Sequence, residues 1–214
     1  MGRIKHALVK LTDNRYFCMA WLVACAAFVT WFGSRRVQTA GGLSAPFEKT
    51  VSVIAVTYSR LYYLWVILTM GAVYLNIGYM YRHHQFKSKA GAIMMYVSFF
   101  FLVMTIIVPH YDAGPGKVIH WASALLFAFL SAGAIIIFLF KMAKQSRRYM
   151  GTLGVFIAVP VLMITLLIIF GENGAIELLP MWLACATLFL VNFTGFYRIK
   201  KTAQRSAPDA EETF

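Results

Sequence analysis

Residues 109–120 read PHYDAGPGKVIH, a polar stretch between two apolar runs. It brings together His110, Asp112, Lys117 and His120. A histidine near neutral pH donates, accepts, binds a metal or switches charge. Two histidines and an aspartate facing each other across a hairpin would supply three ligands to a cation. The same histidines, with Lys117 and with Arg60 from the TYSRLYYLWV stretch, would instead suit an anionic headgroup, which a guanidinium grips with two hydrogen bonds. The plain alternative is a turn whose polar side chains meet headgroups and water. Snorkelling to the same surface would account for Arg60. The residues taken forward as a ligand site are Arg60, His110, Asp112, Lys117 and His120. No metal ligand set, cofactor or catalytic residue is assigned.

The elements that must position these residues follow from hydropathy. Of 214 residues, 60% are hydrophobic and 13% charged, where a soluble domain is about half apolar and about a quarter charged. A helix needs about 20 mostly apolar residues to cross a bilayer. Six stretches fit, over about Phe17–Gly33, Leu61–Met80, Gly91–Pro109, Ile119–Phe140, Gly151–Gly171 and Ile176–Tyr197. Backbone groups in hydrocarbon must bond internally, and no alternating strand pattern is present, so each stretch is expected to be a helix. The expected fold is an all-α integral membrane bundle of six transmembrane helices over residues 1–198. A polar, disordered tail follows over 199–214. Leu22-Val23-Ala24-Cys25 has the form of a lipoprotein cleavage site, but apolar residues continue to Phe32, so a retained span is expected.

Charge gives the orientation. With the N-terminus inside, 15 of the 20 Lys and Arg fall on inner segments and five on outer ones, while the eight acids divide evenly. Lys and Arg accumulate on the cytoplasmic side, so both termini are expected there. The net charge of +12 therefore reflects topology and anionic lipid rather than nucleic acid. The expected partners are membrane lipids, with a membrane protein or a second copy of the chain left open. The expected location is a bacterial plasma membrane.

PHYDAGPGKVIH becomes the outer connection between the third and fourth spans, with Gly114-Pro115-Gly116 making the turn. The small residues after His120 (Ala122, Ser123, Ala124, Ala128, Ser131, Ala132) let helices approach closely, so the fourth span is expected to be central with His120 inward. The longest loop runs from Ser34 to about Val56 and ends in VSVIAV, which lies along the interface or extends the second helix. Asn76, Asn192 and Thr194 are expected to bond between helices, and His83-His84 to be solvated. Cys18, Cys25 and Cys185 have no metal-clip spacing. Spans without deep acids lack the relay of a proton-coupled carrier. HExxH, CxxC, P-loop and GxSxG motifs are missing from the chain.

The pattern P-H-x9-H-W-A-S-A-L-L-F, running from Pro109 to Phe127, resembles the equivalent region of six-span DRAM-like membrane proteins and related bacterial membrane proteins of unknown function. In those an outer-end histidine, here His120, opens a helix of small residues with a following phenylalanine, here Phe127. The resemblance implies a non-enzymatic membrane protein that affects lipid distribution or handling. Three functions are carried forward. The first is a non-catalytic protein binding a lipid or small amphiphile at an outer vestibule. The second is a small permease, for which Asn76 and Asn192 would line the path. The third is a metal-dependent hydrolase at His110, Asp112 and His120.

Overall fold

The computed structural model describes residues 11–108, 114–171 and 173–194. Within them lie seven helices and one two-stranded hairpin: α1 (Arg15–Gly33), β1 (Gln38–Thr39), β2 (Gly42–Leu43), α2 (Val51–Thr57), α3 (Ser59–His83), α4 (Lys89–Ile107), α5 (Pro115–Ala143), α6 (Arg147–Phe170) and α7 (Gly174–Phe193). All but α2 are long and apolar enough to cross a membrane. The spans exceed the apolar runs at most ends because polar capping residues extend each helix past its last greasy turn. Asn14 accepts from the amides of Tyr16 and Phe17, Ser88 from Gly91, Ser146 from Arg148 and Asn173 from Ala175. At α5 the start is set by Gly114, at φ 94°, followed by Pro115 in the first turn. Three expected ends retreat instead: the third span stops at Ile107, the fifth at Phe170 and the last at Phe193.

Helix α1 packs on α3 and α7, α7 on α6, α6 on α5 and α5 most extensively on α4, while α3 touches α4, α5 and α7. The core runs through α1, α3, α5 and α7, with Leu22, Val29, Phe32, Ile77, Phe138, Leu139 and Leu188 among its buried side chains. Apolar side chains also cover the outside: Ile168 is 80% exposed and Phe170 71%. That inversion is what a helix bundle solvated by hydrocarbon requires.

Midway along α3 the backbone widens into a π-helical turn, Gly71–Leu75. Trp21 of α1 donates its indole N–H to the Leu68 carbonyl just before this turn, 3.1 Å away. Just after it Asn76, fully buried, donates to the Cys18 carbonyl at 3.2 Å, and Asn192 of α7 donates to the Asn76 backbone carbonyl at 3.0 Å. Both asparagines thus bond between helices. The Thr194 hydroxyl donates back along its own helix to the Leu190 carbonyl.

The two ends of the bundle differ. One, the basic end, holds the start of α1, the α3–α4 connection and the α5–α6 connection. There Arg82 pairs with Asp13 and Arg15 donates to the Phe193 carbonyl. His84 departs from the solvated role expected of it: its ring is half-buried against Phe138 and edge-on to His83, with centroids 5.1 Å away in each case. The other end, the hairpin end, holds β1–β2 and α2. The VSVIAV run neither lengthens α3 nor remains loop. A break at Tyr58 (φ −121°, ψ 55°) separates α2 as its own short helix, capped by the Thr50 hydroxyl on the Val53 amide.

Candidate functional site

Four chain ends meet at the hairpin end: the last carbonyls of α4 and the first turns of α2, α5 and α7. Helix ends leave backbone groups without intrahelical partners, and side chains from neighbouring elements supply them here. His120 Nδ1 lies 2.7 Å from the carbonyl of Val108, the residue that closes α4. A carbonyl only accepts, so Nδ1 carries the proton. In the neutral ring Nε2 is then the acceptor, and Ser52 of α2 donates its hydroxyl to it at 3.2 Å. Glu177 of α7 accepts from the Val51 amide, the first of α2, at 2.7 Å. Phe47 receives the Ala175 amide at 3.3 Å, tying the loop before α2 to the start of α7.

Beneath this junction lies a cavity of about 170 Å³. Its polar wall is Thr50, Ser52, His120 and Glu177. The remainder is apolar or aromatic: Trp65, Trp121, Ala124, Phe127, Met163, Leu167, Leu178 and Met181. A second cavity of about 70 Å³ shares Phe127, Ala128, Pro180 and Met181 with the first and continues between α5, α6 and α7 to Ile135, Phe156 and Pro160. The α5 residues that line the two cavities, His120 to Ile135, span about 22 Å at 1.5 Å per residue, and the two cavities together are called the slot. Pro160 and Pro180 both lie inside helices that wall it. The Trp65 and Trp121 rings line the upper cavity, and their Nε1–H groups are buried with no acceptor among the described residues. Buried indole N–H groups normally have a partner.

Three of the five ligand residues expected from sequence lie among the described residues. His120 is 4% exposed and forms part of the cavity wall. Lys117 is half-buried one turn before it on α5, on the same helix face. Arg60 is exposed at the start of α3 and does not line the cavity; among the described residues it joins no ion pair. His110 and Asp112 lie outside the described residues. Among the described residues no three His, Cys, Asp or Glu side chains gather as a metal site. Asn76 and Asn192, the residues a permease path would use, are absent from both cavity walls.

Two other cations flank this end. The Arg35 guanidinium sits over the Trp31 ring at 4.2 Å and near Tyr58 at 5.7 Å, and the Tyr58 hydroxyl donates to the Arg36 carbonyl. Glu48 accepts from the Ala45 amide at 2.7 Å and pairs with Lys49 at 3.2 Å, and these contacts hold its carboxyl below the usual carboxylate range.

Sequence reasoning missed Ser52, Glu177, Trp65 and Trp121. Ser52 carried a readable signal as the one polar residue inside VSVIAV, and Glu177 as the one acid at the head of an apolar span. Neither signal says what the side chain meets. Comparison with protein-family models, curated proteins and solved structures finds no match to this chain.

Proposed function

We propose that this is a membrane protein that holds a lipid or small amphiphile, with the apolar part in the slot between α5, α6 and α7 and the polar part at Ser52, His120 and Glu177. The observation that carries this reading is the composition of the cavity. One wall bears hydroxyl, imidazole and carboxylate groups, and the rest, down to Ile135 and Phe156, is hydrocarbon and aromatic except for Ser131. Ligand pockets have this character, mostly apolar with a few placed polar groups. The charge distribution supports an orientation with both termini in the cytoplasm, which puts the mouth of the slot in the outer leaflet. Lys117, one turn above His120, then faces the headgroup layer, where it favours an anionic amphiphile. Binding and handling of lipid also accords with the resemblance carried by residues 109–127.

Native mass spectrometry of protein extracted gently from its membrane tests this. Wild type is expected to carry a lipid mass. Ala128→Trp, which fills the slot where its two cavities join, is expected to lose it while keeping the helical content of wild type. Apo masses for wild type, or equal retention in a folded Ala128→Trp, would overturn the reading.

A further inference from the structure

The slot's polar wall pairs a hydroxyl with a base in a way that binding alone does not need. Ser52 Oγ and His120 Nε2 are 3.2 Å apart, and both residues line the cavity. A nucleophile, a base within hydrogen-bond reach and a third group that orients the base make up the general arrangement of an activated serine. Here the third group is the Val108 carbonyl, 2.7 Å from Nδ1, which fixes the tautomer in which Nε2 carries the lone pair that faces Ser52. The base is held on rigid elements, since His120 is buried in α5 and its anchor closes α4. The cavity floor is apolar and excludes bulk water from the reacting atoms.

We infer that Ser52 and His120 form a nucleophile–base pair acting on an ester-linked lipid acyl chain, an inference that rests on the slot being a lipid site. Ser52 Oγ attacks the acyl carbonyl carbon and forms the new C–O bond while its proton passes to His120 Nε2. The bond from that carbon to the lipid's alcohol oxygen breaks, and the alcohol leaves with the proton from Nε2. Water then attacks the acyl-serine carbon, giving its proton to Nε2, which returns it to Ser52 Oγ as the fatty acid departs. No oxidant or metal is consumed. Lys117 at the mouth favours substrates whose alcohol portion carries a negative charge.

The experiment treats the full-length protein in mild detergent with an alkyl fluorophosphonate. Intact mass is read, the modified peptide is mapped, and lipid retention is measured on the same preparation. Wild type is expected to gain one adduct, at Ser52. His120→Gln is expected to label roughly a hundredfold more slowly or worse, the size of a lost general base. Ser52→Ala is expected to take no label. Wild type that retains lipid but leaves Ser52 unlabelled, or that labels elsewhere, overturns this inference and leaves the binding reading standing. Wild type with neither lipid nor label overturns both. Because the wild-type adduct and its position suffice, the test does not depend on either variant folding.

Discussion

His84 shows how a single side chain escapes sequence reasoning. In RHHQFKSK it stands among basic residues and looks solvated, yet the fold lays it against Phe138 of α5. Burial, with the neighbouring His83 adding to it, holds its imidazole below the ordinary histidine value, partly offset by a hydrogen bond involving the Val191 backbone. Since the folded pKa lies below the unfolded one, about 6.5, the unfolded chain takes up this proton first as pH falls. The contribution is fully present above that value and is lost as pH falls through it towards the folded value. Thermal unfolding in detergent at about pH 8 and about pH 5 is therefore expected to show a smaller acid-side loss of Tm in His84→Gln than in wild type. An equal loss would place the acid sensitivity elsewhere. His120 was legible for the opposite reason. A histidine opening a helix of small residues has nowhere to go but inward, and it is buried at 4% exposure. What it meets was not legible, because Ser52 and the Val108 carbonyl come from elements distant in the chain. Arg60 misled because its charge is a property of type, while its separation from the cavity is a property of packing.

At the scale of elements, hydropathy alone located six spans to within a turn or so at either end, because hydrocarbon permits few alternatives to a helix. It could not find the π-helical turn in α3, which depends on how α1 and α7 meet that helix. Gly71 records that meeting: a Cβ there would fall on the Trp21 indole. Gly71→Ala must expel the ring and break its bond to the Leu68 carbonyl, a cost of the overpacking kind, about 1–3 kcal/mol. At Gly78, seven residues on in the same helix, a Cβ would meet only the tip of the Arg82 side chain at 3.2 Å. Unfolding measurements are expected to show Gly71→Ala clearly destabilised and Gly78→Ala close to wild type or better, since alanine favours helix. Similar behaviour of the two would mean that α1 and α3 are not locked at this point. Helix α2 marks the limit of hydropathy at this scale. Its apolar run suited an interfacial segment or an extension of α3 equally well. The choice was made by the Thr50 cap, the break at Tyr58 and the Glu177 carboxylate arriving from α7.

For the whole molecule, the bundle turns apolar side chains outward, and the proposed function rests on the slot between α5, α6 and α7. The glycine at the head of α7 keeps the junction above it tight: a Cβ at Gly174 would run into the Lys49 backbone carbonyl, just ahead of the Thr50–Ser52 wall. If the proposed function holds, an acyl chain occupies the slot rather than only the outer surface. A phospholipid carrying a photoreactive diazirine near the end of one acyl chain tests it in reconstituted vesicles, with the crosslinked residues mapped by peptide mass spectrometry. Adducts are expected on slot residues such as Ile135, Phe156 and Met181, reduced in Ala128→Trp. Adducts confined to outward-facing residues such as Val155, Leu162 and Ile168, unchanged by that substitution, would contradict it.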